Sequence, residues 1–179
     1  MGSTCGTVGS QIMKMLFENA KEDAMFSASR QKMIDTFCGS EGMTQKTYRV
    51  GGVKIKVLSD PGLNVNSNTL KKYALAKREL VHSVSNNCFQ IADSAIDRGF
   101  VSGSVAADSG TYNFAHLGNH CVGIDVSRSG ACLSVDLTAS VNIDRGMGNY
   151  DVLVIGARSE DHLLQRMGSL YGGPWKRER

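Results

Sequence analysis

Along residues 9–38 the apolar side chains Ile12, Met15, Leu16, Ala20, Met25, Phe26, Met33, Ile34 and Phe37 recur close to the three-and-four spacing of one helical face. That spacing predicts helix with a core-facing side, broken near "FSAS". The period then changes. In "TYRVGGVKIKVLSDPG", Tyr48 and Val50 alternate before Gly51-Gly52, and Val53, Ile55 and Val57 alternate after it, which predicts a hairpin closing on a Pro-Gly turn. Helical spacing returns at Leu70, Tyr73, Ala74, Leu75 and Leu80, with Ser67 or Asn68 as the predicted N-cap. A third helical face runs through Phe89, Ile91, Ala92, Ala95 and Ile96, and Gly99 after Arg98 ends it.

Residues 101–119 are rich in Gly, Ser and Asn and read as loop. "HCVGIDV" and "ACLSVDLTAS" read as two strands joined by "SRSG", and "YDVLVIGA" as a strand buried on both faces. The predicted architecture is one α+β domain over residues 1–179, with N-terminal helices packed on an antiparallel β-sheet. Residues 1–8 and 172–179 are expected to be loose tails, the second anchored only by Trp175.

Composition narrows the function classes. At 179 residues and 41% hydrophobic content the chain can bury one core. It contains no apolar run of membrane-spanning length and opens on no ordinary secretory signal, so a soluble protein is expected. The net charge of +3 comes from 20 basic and 17 acidic residues, interspersed apart from "KKYALAKR" and "WKRER", which is too mild for a nucleic-acid surface. Cys5, Cys38, Cys88, Cys121 and Cys132 form no CxxC pair, so free thiols are expected rather than a disulfide framework or structural zinc. His116 and His120 have ligand spacing only on a helix, and Gly118 makes that stretch a loop; no metal and no cofactor are expected. Gly2 and Cys5 offer a myristoyl and a palmitoyl site, although Gly6 stands where the lipidation pattern wants a hydroxyl.

One constellation carries chemistry. Cys88 stands at the start of its predicted helix, behind the turn-prone Asn86 and Asn87, where the helix dipole favours a thiolate. Among the four histidines, His120 opens a strand after a flexible loop, a position from which its side chain can leave the sheet edge towards a helix start. His116 is the alternative base if that strand begins earlier. Any hairpin register that pairs even with even numbers, such as His120 with Asp136 and Ile124 with Cys132, puts His120 and Asp136 on one face and leaves a three-residue turn centred on Arg128. Asp125 falls on the other face and is expected to be exposed. Cys121 and Cys132 read as packing residues within strands, and His82 and His162 as solvated.

The motifs "NNCFQIA", "NHCVGIDV" and "LSVDLTA", with sixteen residues from His120 to Asp136, resemble those of the papain-like bacterial effector cysteine proteases and glutamine deamidases, a group that takes in YopT- and AvrPphB-type proteases and the deamidase domain of the Pasteurella toxin. The resemblance covers residues 85–140 and departs from the group at Asn86, where glycine is frequent, and at Leu137, where proline often follows the aspartate. It implies a papain-like fold, Cys88 as nucleophile, His120 as general base and later acid, and Asp136 as the group that orients the imidazole. It further implies a hydrolase of protein amides, secreted or injected to act on a protein substrate in a target cell's cytosol. Oxyanion donors would be the Cys88 N–H with Asn87, Asn86 or His82, the last lying where papain-like enzymes often carry glutamine. A peptidoglycan amidase with the same Cys/His chemistry and a non-catalytic binding module are the competing readings.

Overall fold

The computed structural model describes residues 11–14, 31–81, 87–107, 119–139 and 150–179. Its strands are β1 (Thr44–Val50), β2 (Val53–Ser59), β3 (Gly103–Ala107), β4 (His120–Val126), β5 (Cys132–Asp136), β6 (Val152–Ala157) and β7 (Trp175–Arg177). The helices that pack on them are α1 (residues 31–41), α2 (Ser67–Leu80), α3 (Cys88–Asp97) and α4 (Glu160–Tyr171). Residues 11–14 are also helical; the remainder of the helical stretch predicted over 9–38, with the "FSAS" break, lies outside the described residues.

All seven strands form one sheet in the order β1-β2-β6-β5-β4-β3-β7. The expected antiparallel sheet is in fact mixed, because β2 and β6 run parallel. Between those two strands the chain passes through α2, α3 and three strands, a crossover long enough to bring β6 back in the direction of β2. The β1–β2 hairpin is as predicted: Val50 pairs with Val53, and Gly51 and Gly52 take φ of 54° and 79°, the left-handed pair that a two-residue hairpin requires.

Helices cover both faces. Against one lie α1 and α4, whose Ile34, Phe37, Leu163 and Met167 pack with Val122, Ile124, Leu153 and Ile155. Against the other lie α2 and α3, whose Leu70, Tyr73 and Ala95 pack with Val135, Val152 and Val154. Alternate residues of β6 therefore serve opposite layers, and all six are buried, as an unbroken apolar run implies.

Three expectations are corrected. Asn66, not Ser67 or Asn68, caps α2, its Oδ1 accepting the Thr69 N–H at 2.8 Å. Residues 103–107, expected within a loop, form β3; "GSVAA" is buried on both faces and built of small side chains, so it shows no alternation to read. The closing residues, expected to be loose, form β7: Trp175 is buried, Ser104 N donates to Arg179 O, and the Arg179 guanidinium pairs with Asp93 and Asp97 of α3.

α4 is fixed by a buried guanidinium. Arg166, 2% exposed, donates to both oxygens of Asp60, to Glu41 Oε2 and to the Gly156 carbonyl. Removing it strands the Asp60 charge beside the core, and Arg166→Met is expected to lower the unfolding free energy by about 3 kcal/mol, measured by urea denaturation.

Candidate active site

Cys88 is the first residue of α3, with Asn87 at the N-cap. The Asn87 amide does not cap the helix; its Nδ2 donates to Gln90 Oε1 in the first turn. No acidic residue sits in that turn, so no side chain of the turn itself offsets the positive helix end at the sulfur. α3 places Cys88 and Ala92 against Cys121 and Ala106 of the sheet. The thiol is 8% exposed, and its Sγ lies 3.9 Å from the Asn119 carbonyl oxygen.

The β4–β5 hairpin keeps the predicted parity in a register shifted by two residues. Ile124 pairs with Ser134 rather than Cys132, and Gly123 with Val135, so His120 and Asp136 are not directly opposite but do share a face. The turn correspondingly centres on Ser129 rather than Arg128, with Gly130 at φ 88° and Ser127 N donating to Ala131 O. His120 Nε2 and Asp136 Oδ2 are 2.9 Å apart, and both side chains are buried. Two further elements complete the surroundings of the carboxylate. The Tyr171 hydroxyl at the end of α4 donates to Oδ2 at 3.0 Å, and Thr138 donates its N–H and its hydroxyl to Oδ1, each at 3.1 Å. The Tyr171 and Trp175 rings pack on the imidazole, both with centroids 5.9 Å away, and close it off from water.

His120 therefore belongs to the layer of Val122, Tyr171 and Trp175, whereas Cys88 comes from the opposite layer. They meet because His120 is the first residue of β4 and its ring lies at the end of the sheet, where it hydrogen-bonds the Cys88 thiol. With Nε2 held by Asp136, Nδ1 is the ring nitrogen left to serve the sulfur.

The charges follow this geometry. Burial disfavours an imidazolium at His120, but the adjacent Asp136 charge, its hydrogen bond and the Cys88 contact outweigh burial and push the group up to about 10. Burial likewise opposes the Asp136 carboxylate, yet His120, Tyr171 and Thr138 hold it below the usual range. At Cys88 burial raises the thiol, and the hydrogen bond and charge of His120 together with the Cys121 N–H bring it below its ordinary value. Burial pushes Cys38 up to about 11 and Cys121 up to about 12, and it raises Cys132 too. Among the described cysteines only Cys88 is moved towards thiolate, the form that attacks carbonyl carbon.

Of the predicted residues, Cys88, His120 and Asp136 are brought together. Asn87 is exposed and turned towards Gln90. Asn86, His82, His116, Gly2 and Cys5 lie outside the described residues. Asp125, expected to be exposed, is half-buried: it accepts the Tyr73 hydroxyl and the Ser102 N–H and pairs with Lys72. His162, expected to be solvated, stands on α4 and is partly covered, 3.8 Å from Glu41. Sequence reasoning missed Tyr171, Thr138 and Trp175; of these only Thr138 could have been found, since a Thr two residues after an Asp is a common turn pairing. Among the described residues no group of three His, Cys, Asp or Glu side chains is placed to hold a metal ion, and no helix is long and apolar enough to cross a membrane. No protein-family model, curated protein or solved structure matches the chain.

A raised His120 has a definite sign. Its folded value lies above the unfolded value of about 6.5, so the stability lent by the charged ring is complete below pH ~6.5 and is lost as pH rises through about 10. Proton-detected NMR should find the His120 ring still charged at pH 8, while an Asp136→Asn variant should titrate at least about two pH units lower and lose this alkaline loss of stability.

Proposed function

We propose that this protein is a thiol hydrolase of protein amide bonds, a cysteine peptidase or protein-glutamine deamidase of papain-like type, with Cys88 as nucleophile, His120 as base and acid and Asp136 as the orienting carboxylate. The reading rests on one observation above the others: a buried 2.9 Å His120–Asp136 bond beside a thiol at the positive end of a helix. A carboxylate that fixes Nε2 leaves Nδ1 to exchange a proton with sulfur, which is the arrangement acyl transfer to cysteine needs.

The reaction has two halves. The Cys88 thiolate attacks the amide carbon, and the imidazolium of His120 gives its proton to the departing amine or ammonia. Water, deprotonated by the now neutral His120, then hydrolyses the thioester and regenerates the thiol. The Cys88 N–H, unpaired within α3 because it lies in the first turn, is a natural donor to the oxyanion of each tetrahedral intermediate. The resemblance of "NNCFQIA", "NHCVGIDV" and "LSVDLTA" to motifs of bacterial effector enzymes supports a protein substrate met in a target cell's cytosol after secretion or injection.

Alkylation by iodoacetamide across pH tests the triad. Cys88 is expected to react about tenfold or more faster than Cys38 at pH 7, and His120→Ala should abolish the difference. A Cys88 no more reactive than Cys38, or one indifferent to His120, would sink the proposal. Intact mass of a captured substrate then separates the two reactions, since deamidation leaves one slightly heavier chain and proteolysis leaves two fragments.

A further inference from the structure

In an antiparallel ladder only alternate pairs exchange main-chain hydrogen bonds. Next to the β4–β5 turn, Ser127 N donates to Ala131 O at 2.8 Å, so the bonded pairs continue through Asp125 with Leu133 and Gly123 with Val135. The next would be Cys121 with Leu137, and the ladder stops before it. Two groups of this missing rung, the Leu137 carbonyl and the Cys121 N–H, are taken up elsewhere. Asp136 Oδ1 accepts from the N–H and hydroxyl of Thr138, a turn that peels the chain away from β4. The Leu137 carbonyl accepts from Lys77 Nζ of α2 at 2.7 Å. The Cys121 N–H donates to the Cys88 sulfur. Cys88, Cys121, Leu137 and Thr138 border one small cavity beside α3, which places all these substitutions at a single notch in the sheet.

We propose that Lys77 is a positioning residue for Cys88: its ammonium takes the Leu137 carbonyl in place of the Cys121 N–H, and the N–H so released holds the reactive sulfur. The inference rests on the reading of Cys88 as nucleophile. A buried carbonyl without a donor is costly, and the Cys121 N–H is the donor that strand geometry would supply. Without Lys77 the ladder closes by one rung, the sulfur loses a donor to its charged form, and the thiolate is less favoured. Lys77 is itself partly buried; burial lowers its affinity for a proton, while Asp136 and Asp151 favour its charge.

Two measurements on the full chain test this. The first is the pH profile of Cys88 alkylation, with Cys38, Cys121 and Cys132 as internal references. Lys77→Met should move the Cys88 midpoint up by about one pH unit, a roughly tenfold slower reaction below it, and Lys77→Arg should keep the wild-type profile. The second is amide hydrogen exchange, which needs no change at Lys77: in Cys88→Ala the Cys121 amide should exchange about tenfold faster or more, while the Gly123 amide, bonded to Val135, stays protected. An unchanged midpoint in Lys77→Met, or equal protection of the Cys121 amide with and without the sulfur, overturns the proposal. Alkylation of the wild type separates this failure from that of the hydrolase reading, since a Cys88 as slow as Cys38 defeats the hydrolase while the exchange measurement still decides where the Cys121 N–H points.

Discussion

A single carboxylate, that of Asp136, holds both the candidate site and a corner of the fold. Burying an ionised group costs several kcal/mol unless its lone pairs are taken up. Here four donors do so: His120 and Tyr171 on one oxygen, the Thr138 N–H and hydroxyl on the other. The first oxygen orients the imidazole. The second bends the chain at the end of β5.

That bend explains how groups from opposite sides of a sheet come into contact. A continuous sheet would separate the α3 layer, which carries Cys88, from the α4 layer, which carries Tyr171. Because β5 leaves β4 one rung early, and because His120 is the first residue of its strand, the two layers meet at the sheet's end. The last residues of the chain tie the same parts together: Trp175 packs on His120, and Arg179 pairs with Asp93 and Asp97 of α3. Gly123, on the α3 side of β4, has no room for a side chain, since a Cβ there would meet Val101 Cγ1 at 2.9 Å. The helix that carries the thiol rests over this close-packed floor.

The parts of the site legible in the sequence are those that depend on local rules. A cysteine behind turn-prone asparagines starts a helix, and side-chain parity in a hairpin survives a two-residue change of register; these two facts bring out Cys88, His120 and Asp136. What the sequence does not carry is set by distance along the chain. Tyr171 lies 35 residues from the carboxylate it bonds, on a helix whose placement depends on Arg166 reaching Asp60, 106 residues away. β3 hides for another reason: small residues buried on both sides give no period of two. The parallel pairing of β2 with β6 is a property of the whole topology and leaves no local mark.

Since the oxygens of Asp136 serve a turn and the proposed triad at once, fraying at the end of β5 and loss of an oriented imidazole are one event rather than two. A fluctuation that frees Oδ1 from Thr138 lets the carboxylate rotate, and rotation releases Nε2. Under the proposed chemistry, the population of reactive molecules would then follow a local unfolding equilibrium, shallower than global denaturation and able to shift without it. Any partner that braces or loosens this corner would act as a throttle on the thiol without touching it.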